Sequence, residues 1–340
     1  MNDSGRLEHG QPEASNRCIQ LPRLRRSTVL YKVRRQYNAE YVIIREAPSP
    51  ENARLAAGCQ GVTVITTAIT EEIIRIWKEV GVKHISTRTI GYDHVDLEAA
   101  KKYGITVSNV SYSTGSVADY TVMLILMALR KMKMIMRRAD AMDYSLPGSL
   151  GRQIGDLTVG VVGTGRIGEH VIRNLSGFGC RILACDPYEN KNVLQYAEYV
   201  DRDTLFRQSD VITFHVPALE ETFHIVNRDT LALMKDGVVL VNTARGSVID
   251  TPALLDALES GKVGAAALDV IENELGIFYG DYKYSVIGHR EMSILKDLPN
   301  VLMLPHMAFY TENAVSDMVE HSIASIAIEA KGGRSPKRVC

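Results

Sequence analysis

Three ionisable residues stand just beyond the carboxyl ends of apolar runs: Arg245 after VVLVNTA, Glu274 after AAALDVIEN and His306 after VLMLP. The strands of an open parallel sheet deliver their carboxyl ends to one crevice, so residues far apart in sequence can meet there. An arginine offers a rigid fork that binds a carboxylate at two points. A histidine holds a proton near neutral pH and can pass it to an oxygen, and a nearby carboxylate favours the protonated ring. Together the three suit reduction of a 2-keto acid. The arginine would orient the substrate carboxylate and polarise the C2 oxygen, and the histidine would supply the proton. Each residue also has a plainer reading. Arg245 could cap backbone groups in its turn. Glu274 could be a solvated loop acid, the reading given to Glu272. A lone histidine after a strand is more often structural, as His215 is taken to be. Composition alone does not choose His306 from the nine histidines.

A source of hydride is written in residues 159–168, VGVVGTGRIG, followed by the apolar run RILAC and an acid, Asp186. The order is strand, glycine turn, helix start, second strand, acid, which is the sequence form of a dinucleotide site. Gly163 allows the tight turn, Gly165 lets backbone approach a pyrophosphate, and Gly168 lets the helix pack close to the strand. The helix starting near Arg166 aims unpaired N–H groups at the phosphates. Asp186 accepts from the ribose 2′-OH of NAD and repels the 2′-phosphate of NADP. The alternative is a glycine turn in a Rossmann-like domain without cofactor, and the combination of strand, helix and acid argues against it.

The elements that must position these groups alternate. In the first part of the chain, residues 28–47 read as a short helix and a strand AEYVII, followed by a helix near 50–58 and a strand at 61–66. Then come a helix from Glu71 to Val80, a strand at 83–88, a helix from Leu97 to Tyr103 and a strand at 105–110. This unit has no phosphate loop. One long helix is expected from Ser116 to Ala141, its methionine-rich apolar side being core or subunit interface. Tyr144–Gly155 reads as a linker or lid-like loop. Further strands are expected at 211–216, 238–243, 264–270 and 301–305, with a surface excursion at 275–292 and a last helix from Thr311 to Ala330. The tail GGRSPKRVC reads as frayed and residues 1–27 as partly disordered. Alternating strands and helices imply parallel α/β sheets.

With 340 residues, two domains are expected. A net charge of −1 offers no field for nucleic acid or an anionic membrane. The longest apolar run, Val122 to Leu129, is too short to span a bilayer. The five cysteines, Cys18, Cys59, Cys180, Cys185 and Cys340, include no CxxC pair. No disulfide framework, zinc site or other metal is implied, and a reducing cytoplasm fits.

From about Gly61 to Asp317 the chain resembles the D-isomer-specific 2-hydroxyacid dehydrogenases. The motifs that carry this are TRTIGYDHVD (87–96), VGVVGTGRIG (159–168), VVLVNTARGSVIDTPALLDALESGKVGAAALDV (238–270) and PNVLMLPHMAFYT (299–311). PHMAFYT and ENELGIFY (272–279) carry a narrower likeness to the D-lactate dehydrogenase branch, including the form that accompanies vancomycin resistance. The resemblance implies an NAD enzyme with Arg245, Glu274 and His306 as the catalytic residues. It places the backbone of Ile90 and Gly91 on the substrate carboxylate, and Tyr112 and Phe309 on the pocket wall. Arg166, Ile167, Asp186, Val216, Pro217, Thr243, Ala244, Arg245 and Asp269 fall on cofactor contacts, beside the three glycines. It also implies two Rossmann-like domains, the cofactor domain (114–309) being inserted in the substrate domain (1–113 with 310–340). The site would lie in a cleft between the domains, and the family is commonly a homodimer built around the cofactor domains. The family usually opens on a clean strand, of which CIQL is the nearest trace here. The reading is thus a cytoplasmic NAD-dependent D-lactate dehydrogenase that interconverts pyruvate and D-lactate. A dehydrogenase for larger branched or aromatic 2-keto acids, and a cofactor-sensing binding protein, are the alternatives.

Overall fold

The computed structural model describes residues 35–44 and 46–340. The readings for residues 1–27, for Cys18 and for the CIQL trace lie outside them. The chain divides into two compact units, one within Met1–Tyr112 and Val315–Cys340, the other Ser113–Ala314.

The first unit is built on a parallel sheet in the order β1 (Gly61–Val64), β2 (His84–Thr87), β3 (Thr106–Ser108). All four residues of β1 are buried, as a sheet covered on both faces requires. Helix α1 (Glu71–Glu79) buries Ile73, Ile74, Ile76 and Trp77. Helix α2 (Leu97–Tyr103) is capped by Asp96, which accepts from Ala99 N at 2.9 Å, and ends at Gly104 with φ 62°. Two expectations fail here. AEYVII is not a strand: only Glu40 is bridged, and Val42 and Ile43 are exposed. The helix near 50–58 is a 3-10 turn, Ala53–Ala56.

The tail is not frayed. Val339 N donates to Val107 O at 2.7 Å, Val107 N donates to Cys340 O at 3.1 Å, and Ser108 bridges Arg338 in antiparallel sense. Strand β3 is the edge of its sheet, and its unpaired backbone groups take up the last residues. Ser335 is buried: its N–H donates to Glu329 Oε1 at 2.8 Å and its Oγ accepts from Lys337 N at 3.2 Å.

The second unit opens on a helix that was expected to be continuous. It is two, α3 (Gly115–Leu129) and α4 (Met132–Asp140), broken where Lys131 turns to φ 51°. Helix α3 is buried along Val117, Val122, Leu124 and Ile125, whereas α4 buries no residue. The change of environment, and not a proline or glycine, coincides with the break. Lys133 then donates to the carbonyls of Lys296, Leu298 and Val301 at 2.7, 2.6 and 2.5 Å, and burial pushes its ammonium down to about 8.

The rest is a seven-stranded sheet with every pair parallel: β4 (Thr158–Val162), β5 (Arg181–Cys185), β6 (Glu198–Tyr199), β7 (Val211–Phe214), β8 (Val238–Asn242), β9 (Val263–Leu268) and β10 (Val301–Met303). Their order is β10-β9-β8-β7-β4-β5-β6, so the winding reverses at β4. Alternate residues feed two cores: Val238 and Leu240 pack in one, Val239 and Val241 in the other. Helices α5 (Arg166–Ser176), α6 (Arg202–Gln208), α7 (Arg228–Leu233), α8 (Thr251–Glu259) and α9 (Arg290–Asp297) belong to this unit, and α10 (Glu312–Ala330) carries the chain back to the first. Among the described residues no helix is long and apolar enough to cross a membrane. Cys59 is disulfide-bonded, against the expectation that no disulfide framework is implied, since spacing along a chain does not show which sulfurs meet; among the described residues Cys180, Cys185 and Cys340 are free.

The tail pairing has a direct test. Truncation after Gly333 should lower the melting temperature by on the order of 5 °C, since each kcal/mol lost corresponds to about 2–4 °C in a domain of this size. Thermal unfolding followed by circular dichroism would check this, and an unchanged melting curve would show that the pairing adds no stability.

Candidate active site

The dinucleotide motif folds as its residues require. Strand β4 ends at Val162, Gly163 turns the chain at φ 92°, and α5 starts at Arg166 and Ile167 with Gly165 as its cap. A Cβ on Gly168 would fall 2.0 Å from Gly163 O, so only glycine permits this helix to sit so close to the turn. A Cβ on Gly165 would meet nothing, which leaves room in front of the helix N-terminus for phosphate. Asp186 follows β5 directly and accepts from Thr164 N at 2.7 Å and from Tyr188 N at 2.9 Å. Thr164 is in turn tied to Tyr199, whose hydroxyl donates to its Oγ1 at 2.7 Å, and to Asn190, whose Nδ2 donates to its carbonyl at 2.9 Å. The turn, the carboxylate and the helix start therefore form one braced unit that fits a dinucleotide.

Val216 and Pro217 follow β7, and Thr243, Ala244 and Arg245 follow β8. Asn242, the last residue of β8, folds this turn: its Oδ1 accepts from Ala244 N at 3.0 Å and its Nδ2 donates to Arg245 O at 2.8 Å. Thr243 Oγ1 pairs with Thr121 of α3 at 2.9 Å. Arg245 Nη1 donates to Ala244 O at 2.8 Å. The next residue, Gly246, lies against the segment that leaves β9: a Cβ there would fall 2.1 Å from Ile271 C and 2.4 Å from Glu272 N. The arginine turn and the segment carrying Glu274 are thus in backbone contact.

Asp269, just past β9, is fully buried. Its two carboxylate oxygens accept from Met307 N at 2.8 Å and Ala308 N at 2.9 Å, and its carbonyl accepts from His306 N at 2.7 Å. Burial pushes this carboxyl up against the opposing effect of those N–H donors. Burial, with the Asp269 charge adding to it, pushes the Tyr120 hydroxyl on α3 up to about 12. Asp269 so holds the turn after β10, where His306 sits at φ 53°. His306 Nδ1 is 2.5 Å from Glu274 Oε1, and Glu274 Oε2 accepts from Ile271 N at 2.8 Å. A carboxylate only accepts, so Nδ1 carries the proton and Nε2 is the ring atom left to exchange one with another molecule. Both side chains are mostly enclosed, 22% and 16% exposed. Phe309 stands edge-on to the His306 ring, centroids 6.4 Å apart.

Two sequence readings are resolved here. His215 is structural: its Nε2 pairs with Thr213 Oγ1 at 3.1 Å, and burial pushes the ring down to about 3. Glu272 is not a solvated loop acid. It meets His224 Nε2 at 2.6 Å and accepts from Thr251 N at 2.9 Å and Thr251 Oγ1 at 2.7 Å, which ties the segment before Glu274 to the start of α8. Burial raises its carboxyl, and these bonds outweigh that and hold it below the usual carboxylate range. Ile90, Gly91 and Tyr112 lie in the first unit, on loops after β2 and β3. Asn109 Nδ2 donates to Ile90 O at 2.8 Å and Thr89 Oγ1 to Gly91 O at 2.6 Å, so that loop is held on its carbonyl side. Sequence reasoning missed Asn242, although a polar residue closing an apolar strand was the signal. It also missed Thr121 and Tyr199, which no motif marks, and Tyr279, which closes the ENELGIFY stretch but was given no role.

The doubly wound sheet, glycine turn and acid fit an NAD-binding domain. Residues 122–308 match the family model described as D-isomer specific 2-hydroxyacid dehydrogenase, NAD binding domain. The chain is 44% identical over 282 residues to a D-specific alpha-keto acid dehydrogenase of Enterococcus faecalis, covering 83% of this chain and 86% of that one. It is 38% identical over 309 residues to an aromatic 2-oxoacid reductase of Clostridium sporogenes, covering 90% and 93%. The crystal structure of a D-lactate dehydrogenase from Treponema pallidum superposes with a TM-score of 0.84 at 32% identity, covering 95% of this chain and 99% of that one. The chain belongs to the D-isomer-specific 2-hydroxyacid dehydrogenase family, and it is an NAD-dependent enzyme of that family.

The Glu272 network has a pH signature. A carboxyl held low in the fold adds stability above its unfolded pKa and loses it as pH falls through the folded value. Glu272→Gln should therefore cost on the order of 1–3 kcal/mol at neutral pH. The gap to wild type should close as the pH drops below the carboxylate range. Urea unfolding at both ends of that range checks this; a gap that persists in acid would assign the effect to packing instead of charge.

Proposed function

We propose that this enzyme is a D-lactate dehydrogenase, with pyruvate as the preferred 2-keto acid. The observation that carries this is the wall beside the proton donor. Phe309 is boxed edge-on by His306, Tyr279 and Tyr310, with centroids at 6.4, 6.5 and 5.8 Å. A rigid aromatic ring next to the reacting carbon suits a methyl group better than an isobutyl or benzyl group. The D-lactate dehydrogenase likeness of PHMAFYT and ENELGIFY, and the narrower likeness to the form that accompanies vancomycin resistance, support the same placement.

The residues divide the chemistry as follows. The Arg245 fork holds the substrate carboxylate and strengthens its bond to the C2 oxygen as negative charge develops there. His306 gives the proton on Nε2 to that oxygen in reduction, forming O–H and leaving a neutral ring, and takes it back in oxidation. Glu274, anchored by Ile271 N, takes Nδ1 and so keeps Nε2 as the nitrogen that faces the substrate. NAD, when bound, supplies or accepts the hydride. It would be held by Gly163, Gly165, Arg166, Ile167 and Gly168 at the phosphates, by Asp186 at the ribose, and by Val216, Pro217, Thr243, Ala244, Arg245 and Asp269 further along the strand ends. Ile90, Gly91 and Tyr112 would complete the substrate contacts. The second unit would act as the cofactor domain and the first as the substrate domain. A homodimer is part of this reading, with the exposed Met123 and Met136 on α3 and α4 among the apolar side chains it would cover.

A second reading, preference for aromatic or branched 2-keto acids, is favoured by the likeness to the Clostridium sporogenes reductase. Initial-rate kinetics with NADH separates them. kcat/KM should be highest for pyruvate and lower for 2-ketoisocaproate and phenylpyruvate by about 10-fold or more, the discrimination an apolar pocket provides. Phe309→Ala should narrow that gap. A wild type that prefers either larger acid would replace the D-lactate reading with the second.

A further inference from the structure

We propose that Tyr279 is a positioning residue for both His306 and Phe309, and through them a determinant of turnover and of side-chain selectivity; this rests on the reading of His306 as the proton donor. The Tyr279 hydroxyl donates to the His306 carbonyl at 2.8 Å. Its ring stands edge-on to Phe309, centroids 6.5 Å apart at 88°. Phe309 is also edge-on to His306, at 6.4 Å and 76°. The three rings form a corner, and Tyr279 is the member that also reaches the backbone.

His306 has φ 53°, a conformation that residues other than glycine rarely keep unless held. Three contacts hold it. Asp269 O accepts from its N–H at 2.7 Å, Glu274 takes the ring at 2.5 Å, and Tyr279 takes the carbonyl. Glu274 and Tyr279 lie in one tight turn, in which Ile277 N and Phe278 N both donate to Glu274 O, at 3.0 and 3.3 Å. A single short segment therefore grips the histidine at its ring and at its backbone, so displacement at one point is felt at the other. Losing the hydroxyl releases the carbonyl and lets the ring drift from its aim while Glu274 still holds Nδ1. Losing the whole ring also removes the edge partner that stops Phe309 from swinging aside. Tyr279 is 49% exposed, so its replacement does not empty a core.

The two roles separate in two variants. Reduction of pyruvate and of phenylpyruvate by NADH is measured in wild type, Tyr279→Phe and Tyr279→Ala, with kcat and KM resolved. NADH affinity by fluorescence titration and melting temperature are measured alongside. In Tyr279→Phe, kcat should fall about 3- to 10-fold, the size of one ordinary hydrogen bond, with KM within about twofold and the ratio between the two acids kept. In Tyr279→Ala the same loss should be joined by a shift of kcat/KM toward phenylpyruvate of about fivefold or more. NADH affinity should be unchanged in both. An active wild type with an unaltered Tyr279→Phe, or a Tyr279→Ala with the wild-type ratio, overturns the proposal. So does a loss that tracks NADH affinity or melting temperature, since that is a general structural effect. A wild type that oxidises NADH with neither acid overturns the underlying reaction instead.

Discussion

The contact between Glu274 and His306 is the interaction on which the rest of the site depends. Proton transfer needs a ring whose one nitrogen is fixed and whose other is free, and a carboxylate on Nδ1 at 2.5 Å sets both conditions. The contact is possible because a non-glycine residue is held at φ 53° just past a strand end. That backbone would relax if it were not tied, and Asp269 ties it with a carbonyl and two carboxylate bonds. A buried carboxyl is an expensive tether. Here it is satisfied by backbone donors at each oxygen, and it joins the ends of β9 and β10, the two strands that deliver the acid and the histidine.

The parallel sheet makes the rest follow. Each strand of a doubly wound sheet ends on the same edge, so the glycine turn after β4, the acid after β5, the arginine turn after β8 and the His306 turn after β10 share that edge without any local sequence relation. Gly246 shows how tight the convergence is, since its backbone meets that of Ile271 and Glu272 with no space for a side chain. Glu272 then fastens this junction to α8 through Thr251 and to the loop after β7 through His224.

Much of this was legible in the sequence because the signals were local. Glycines at fixed offsets after an apolar run can only mean a tight turn and a close helix, and α5 begins where those offsets place it. Five-residue apolar runs such as VVLVN sit as buried strands. What failed depended on partners distant in sequence. The break between α3 and α4 has no breaker residue at Lys131; it coincides with the change from a buried helix to an exposed one. The tail reads as polar and frayed until the free edge of β3 is in view. Glu272 and Glu274 are two acids two residues apart in the same loop, and nothing in their spacing says which one faces a helix start and which one faces a histidine. AEYVII has strand composition, yet its apolar side chains find no sheet among the described residues.

The central claim is that the Glu274 carboxylate fixes the His306 ring with Nε2 as the proton donor, and kcat for NADH-driven pyruvate reduction across pH in wild type and Glu274→Gln tests it most directly. Glutamine keeps an oxygen for Nδ1 and removes the charge. Rates should fall as pH rises in both proteins, because the ring must carry the proton it donates. kcat should be lower throughout in Glu274→Gln, by on the order of 10-fold, because an amide can also turn its N–H to the ring and no longer fixes which nitrogen holds the proton. Superimposable profiles would contradict the account and show that the two side chains touch without sharing the proton chemistry.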